Sequence, residues 1–191
     1  MTVESAKWKI DLIYESSYSP QNIIANQTYD FKIEIGDEGK WTSQLALICT
    51  QNGEPFKNCL ISGIDGGCYF HLSTMDDNSQ SVKLLDDELI ISLGFTLASF
   101  DLDKMKFNWK IRPDMAEIFE FYDLEDDFLL RGELQIHRID RNGNIKWSYG
   151  GRDIWVNPDG KEEVTIHKNK IELIDFESNR YLIDYNGKTI K

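Results

Sequence analysis

No stretch of this sequence strings together the roughly 18 apolar residues that a membrane-spanning helix needs. Helical periodicity is also missing: nowhere do apolar positions recur every three to four residues over about 12 residues, so the chain reads as mainly β. Cysteine is scarce and odd in number. Cys49, Cys59 and Cys68 lack both the even count of a disulfide framework and the C-x-x-C or Cys/His spacing of a zinc site, and free, buried thiols are expected. The N-terminal residues carry Lys7 and Lys9 where a secretory signal has an uninterrupted apolar region, which makes the cytoplasm the expected location. Three catalytic signatures are absent as well: G-x-S-x-G, G-x-x-x-x-G-K-[ST] and G-x-G-x-x-G.

Positive charge is in short supply. Of the formal charge of −12, residues 76–133 carry −9 and residues 134–191 are close to neutral. Such a field repels a phosphate backbone and attracts a cationic surface. The expected partner is therefore a basic protein, with no nucleic acid and no membrane.

What the sequence does contain is a pattern written twice between Asp86 and Tyr149. The first copy runs Asp86-Asp87-Glu88-Leu-Ile-Ile, Gly94, Phe-Thr-Leu-Ala-Ser-Phe, Asp101 and on to Trp109. The second runs Asp126-Asp127-Phe-Leu-Leu, Gly132, Ile136-His-Arg-Ile139, Asp140, Gly143 and Trp147. Leu97 aligns with Ile136, Phe100 with Ile139, Asp101 with Asp140, and Trp109 with Trp147. Asp184-Tyr-Asn-Gly187-Lys echoes Asp140-Arg-Asn-Gly143-Asn as a degenerate third copy. A period of about 40 residues built from short strands is the mark of propeller blades or stacked sheets.

Other strands are read from alternation and turn chemistry. They are Trp8 to Tyr14, Thr28 to Ile35 (as a half-buried antiparallel strand ended by Gly36-Asp-Glu-Gly39), Gln44 to Thr50, Cys59 to Ser62 and Cys68 to Leu72. After the first repeat come Ala116 to Leu124, Asp153 to Asn157, Glu163 to His167, Ile171 to Phe176 and Arg180 to Tyr185. Asn52-Gly53 and Asp65-Gly66-Gly67 are hairpin signals, because glycine accepts the positive φ of tight turns. The fold class expected is mainly β: short antiparallel strands in repeated, propeller-like sheet units forming a small or open array, with a β-sandwich as the alternative. Residues 1–191 are read as one all-β domain, with non-repeat strands over 1–43 and repeat units over 86–190.

The run of strand, aspartate, short turn and tryptophan resembles the repeat of quinoprotein-type (PQQ-like) β-propellers. The residues that carry it are Leu97 to Asp101 with Trp109, and Ile136 to Asp140 with Gly143 and Trp147. The first copy has Asp103-Lys104 where that family has glycine. The resemblance implies an architecture and no cofactor, since quinone binding in that family draws on a ring of residues across many blades.

The candidate sites divide by chemistry. Asp140, Asn142 and Asn144 space oxygen ligands as a calcium loop begins, but Ile145 and Gly151 stand where an EF-hand needs Gly and Glu, so a turn is expected. His71, His137 and His167 show no metal-ligand spacing, and no metal or catalytic residue is assigned. Trp109 and Trp147 are expected to be core residues of the repeat. From Asp114 to Glu133 eight acids face a single base, Arg131, and are interleaved with Phe119, Phe121, Tyr122 and Phe128. An exposed Tyr122 among Glu120, Glu125 and Asp127 would be an aromatic anchor in an acidic rim, and these four residues are the expected partner-binding set. The function expected is a non-enzymatic, acidic protein-binding module such as an inhibitor or a toxin-neutralising immunity protein. A carbohydrate-binding or glycoside-hydrolysing β-protein is the alternative.

Overall fold

The computed structural model describes residues 1–16, 24, 27–36, 42–75 and 77–190, and among them it places sixteen strands in four sheets. The first sheet holds β1 (Thr2–Glu4), β2 (Trp8–Glu15), β3 (Phe31–Glu34), β4 (Ser43–Gln51) and β5 (Glu54–Ile64), in the order β1-β2-β4-β5-β3. The second is a four-stranded meander of β6 (Val82–Leu85), β7 (Glu88–Leu93), β8 (Thr96–Asp101) and β9 (Lys106–Ile111). The third repeats it with β10 (Ile118–Leu124), β11 (Asp127–Gly132), β12 (Ile136–Ile139) and β13 (Ile145–Tyr149). The fourth contains β14 (Val164–His167), β15 (Lys170–Ile174) and β16 (Arg180–Ile183), and Thr189 bridges Ile183 where a further strand would lie. The fold is thus all-β, with small antiparallel sheets repeated as propeller-like blades. No helix among the described residues is long and apolar enough to cross a membrane.

Three cores join consecutive sheets. Trp8, Leu47 and Ile61 of the first sheet pack with Ile91 and Phe100 of the second. Ile90 and Leu97 of the second meet Phe121, Phe128 and Ile139 of the third. Tyr122, Leu129 and Ile136 of the third meet Ile171, Leu173 and Ile183 of the fourth, around Trp155. A strand between two sheets buries both of its faces, which accounts for the unbroken runs Leu89-Ile-Ile and Phe128-Leu-Leu. Leu89 and Ile91 face one way and Ile90 the other.

The two aligned tryptophans occupy equivalent joints. The indole N–H of Trp109 donates to the Arg141 carbonyl at 2.9 Å, and that of Trp147 donates to the Tyr185 carbonyl at 2.9 Å. Each ring lies on the glycine of the next sheet's turn. A Cβ at Gly143 would stand 2.8 Å from the Trp109 ring, and one at Gly187 would stand 2.7 Å from the Trp147 ring. Both glycines also have φ near +80° (82° and 75°), so the turn and the joint demand glycine for separate reasons. Asp140 closes its turn by accepting the amides of Asn142 and Asn144, as Asp184 accepts those of Asn186 and Lys188. The Asp140 carboxylate is therefore engaged as a turn acceptor, and its pKa is held down by Asn144.

Three strand expectations need correction. The segment from Phe31 pairs parallel with β5, Phe31 lying opposite Cys59, because a chain segment that includes β4 separates β3 from β5 and reverses its approach. Cys68 to Leu72 and Asp153 to Asn157 are not strands: among the described residues no neighbouring strand offers them a ladder, and Trp155 is buried as filling for the last core. The turn foreseen at Gly36–Gly39 falls mostly outside the described residues.

Candidate functional site

The expected partner-binding residues are not gathered into one exposed patch. Tyr122 is only 4% exposed and sits in the core between the third and fourth sheets, its hydroxyl donating to Glu120. An exposed aromatic anchor at this position is thereby corrected: β10 lies between two sheets, so its Phe121 face and its Tyr122 face are both covered. Burial, reinforced by the Glu120 charge, raises the Tyr122 pKa and keeps the phenol neutral. Glu120 is mostly covered as well and accepts from Arg131 Nε at 2.7 Å, while His71 Nε2 stands 3.7 Å from its other oxygen. Asp127 is buried between Arg138 (2.5 Å) and Lys146 (2.7 Å), and those partners hold its carboxyl below the usual range against the opposing effect of burial. Of the four, only Glu125 is exposed, paired with Arg138 Nη2 at 2.7 Å.

The acidic segment is in fact a hairpin. β10 and β11 are antiparallel, Phe121 opposite Leu130, so the Glu125-Asp126 turn points to one side of the array while Asp114, Glu117 and Glu133 emerge at the other. On the turn face Asp86, Asp126, Asp140 and Asp184 make no ion pair among the described residues, while several other acids have a basic neighbour. Asp87 and Asp103 take Lys7, Asp101 takes Lys104, Asp123 takes Lys83 and Arg141, and Glu125 takes Arg138.

The loop face is a chain of backbone hydrogen bonds from one sheet to the next. Phe95 N–H donates to Asp65, Ile118 to Gly94, Glu133 to Glu117, Trp155 to Glu133, and Phe176 to Ile154. Along this chain stand Tyr69 (75% exposed), Met115 (84%), Leu134 (41%) and Phe176 (44%). Tyr69 belongs here because its ring is 3.3 Å from a Cβ built on Gly67, whose amide donates to the Glu117 carboxylate. The ion pairs on this face, among the described residues, include Arg112–Asp65, Arg131 with Glu120 and Glu163, and Lys161–Asp159. None of them engages Asp114, Glu117, Glu133, Asp153, Glu162 or Glu177. Side chains that are both apolar and exposed, set among unpaired carboxylates, are what the sequence reading sought at Tyr122. They lie instead in loops, where strand alternation gives no signal.

Other reactive groups are occupied or covered. Arg131 pairs with the partly buried Glu120 and Glu163, whereas Arg152 is exposed and makes no ion pair among the described residues. His137 is buried with Nδ1 2.8 Å from Ser148 Oγ; burial lowers its pKa and Asp114 opposes that. His167 Nε2 lies 3.4 Å from Glu172. The thiols of Cys49, Cys59 and Cys68 are free, and burial pushes each up to about 12. A cleft of about 350 Å³ runs beside Trp147, but the one carboxylate in its lining, Glu125, is already bound to Arg138.

No protein-family model and no curated protein matches this sequence. Similar solved structures include the computationally designed Ika8 protein, with a TM-score of 0.50, 8% identity, and coverage of 100% of this chain and 59% of that one. The WD40 β-propeller domain of Doa1 gives 0.48 and 13% identity, covering 75% of this chain and 47% of that one. The β-propeller domain of Cps50 (Swd1) from Myceliophteria thermophila gives 0.45 and 9%, with 78% and 56% covered. The chain thus spans between 47% and 59% of these three structures. At such identities the likeness is one of fold and carries no function across.

Proposed function

We propose that this protein is a non-enzymatic binding module that captures a basic protein through its loop face. The observation that carries the reading is the coincidence, on one side of the array, of Tyr69, Met115, Leu134 and Phe176 with six carboxylates that make no ion pair among the described residues. Exposed aromatic and methionine side chains provide the short-range contact of an interface, and unpaired charge provides complementarity and steering. The turn face is also acidic, with Asp87, Asp101, Asp103, Asp123 and Glu125 spent on internal partners, but among the described residues its turns lack the exposed aromatic and methionine side chains of the loop face. An inhibitor or a toxin-neutralising immunity protein is the role of this kind that an acidic surface of modest size suits, since both block a cationic target by occupying it. The resemblance to quinoprotein-type repeats supports this reading only as architecture, through the joints at Trp109 and Trp147.

The test compares capture from an extract of the source cell, with elution by salt. Bait variants are a loop-face set (Glu117→Gln, Glu133→Gln, Glu177→Gln) and a turn-face set (Asp86→Asn, Asp126→Asn). A specific basic protein should be held by the parent and the turn-face set, released by salt, and lost from the loop-face set. Equal retention by both sets would refute the assignment of the face.

A further inference from the structure

Resting on the loop-face reading, we infer that this face carries an anchor site for one apolar side chain of a basic segment, in the cleft between Leu134 and Ile154. The cleft measures about 280 Å³ and is lined by Leu134, Gly151, Arg152, Asp153 and Ile154. That is below the roughly 300–1,000 Å³ of small-molecule pockets and suits a single large side chain. Its wall is apolar at Leu134 and Ile154. Asp153 and Arg152 are the charged residues in its lining, and Asp153 and Glu133, the chain neighbour of Leu134, make no ion pair among the described residues. The chemistry recognised is therefore a leucine, methionine or phenylalanine next to lysine or arginine.

A second observation points the same way. A Cβ added at Gly151 would come within 3.0 Å of Cζ2 and Cη2 of Trp155, so this buried indole lies directly beneath the glycine. Trp8, Trp109 and Trp147 each donate their indole N–H to a named acceptor. Trp155 does not: its N–H is buried without a partner among the described residues. Nε1 is two bonds from Cζ2, one of the two ring atoms nearest Gly151. Orphaned buried donors are rare because each forfeits a hydrogen bond made to water in the unfolded chain. A bound segment that displaces the side-chain-free Gly150-Gly151 backbone slightly would supply the missing acceptor from its own carbonyl. The apolar side chain then fills the cleft, and the adjacent cation meets Glu133 and Asp153.

The experiment is an NMR titration of the ¹⁵N-labelled full chain with three capped tripeptides: Lys-Phe-Lys, Lys-Ala-Lys and Glu-Phe-Glu. Lys-Phe-Lys should shift the Gly151 and Ile154 amides and the Trp155 indole N–H saturably. Lys-Ala-Lys should bind about ten-fold more weakly, Glu-Phe-Glu should leave these signals in place, and Leu134→Arg should abolish the response. Equal shifts with Lys-Phe-Lys and Lys-Ala-Lys, or a Trp155 indole signal that does not move, would overturn the anchor. The two readings fail differently in the capture assay. If Leu134→Arg keeps the native partner while the loop-face charge set loses it, the anchor is wrong and the face is right; if both keep it, the face itself is wrong.

Discussion

The joint between the first and second sheets and the joint between the second and third are built on different principles. At the later joint Trp109 lies on a glycine that no other residue can replace without both backbone strain and collision, and its N–H is bound to main chain. At the earlier one Trp8 is deeply buried, and its N–H reaches a side chain, the Asp87 carboxylate at 2.7 Å, which Lys7 shares at 2.5 Å. A joint made of backbone shape can be copied from unit to unit, as the Trp147–Gly187 pair shows. A joint made of one carboxylate and its partners is a local solution, in keeping with a first sheet that has its own strand order.

The sharpest way to break this contrast is to remove the rings. Trp109→Ala and Trp147→Ala should each cost about 3 kcal/mol, the lower end for large-to-small changes because both rings are half-buried, measured by denaturant unfolding. Similar losses are expected, and a difference of several-fold would deny the equivalence. Gly143→Ala should cost about 2 kcal/mol through φ strain and the approach to Trp109. Combined with Trp109→Ala it should cost less, since only the strain remains, and full additivity would show that ring and glycine are not coupled. Trp8→Phe keeps the apolar bulk and loses the Asp87 bond, so a smaller destabilisation is expected than from either alanine variant.

Two finer tests follow. An ordinary histidine titrates near pH 6.5, and burial lowers the pKa of His137 in the fold. The unfolded chain therefore takes up that proton first. The contribution of His137 to stability is complete above about pH 6.5 and is lost as the pH falls towards its lower folded value. His137→Gln should flatten the stability profile over that interval, and an unchanged profile would assign the slope to other groups. The smallest expected effect is none at all. Reducing agent should leave the melting temperature of the parent unchanged, and Cys49 and Cys59, inside the first joint's core, should resist alkylation at pH 8 in the native state.

Much of this architecture was legible in the sequence because the joint imposes a strict pattern. The spacing of Asp101 and Trp109, repeated at Asp140 and Trp147, reflects a turn and an outer strand of fixed length. The Asn52-Gly53 turn was equally plain, both residues having the positive φ that such hairpins need. Pairing direction was not: alternation at Phe31, Ile33 and Ile35 describes one covered face and says nothing of whether the neighbour runs parallel. Nor was the site. In an isolated sheet, alternation separates a wet side from a dry one, whereas between two stacked sheets Phe121 and Tyr122 are both dry. The exposed residues Met115, Leu134 and Phe176 sit in loops whose common side follows only from the hairpin geometry.

The seating of each tryptophan on a glycine of the following unit also sets an order in time. While the chain emerges from the ribosome, the second sheet can pair its strands as soon as Ile111 is free, but Trp109 has no seat until Gly143 has been made and its turn closed. Trp147 waits in the same way for Gly187. The second and third sheets therefore each pass through an interval with a bare indole at the margin, and that interval lengthens if translation slows between Trp109 and Gly143 or between Trp147 and Gly187. Synonymous codon changes in those two windows, which leave the finished protein identical, should alter how much of it is recovered soluble.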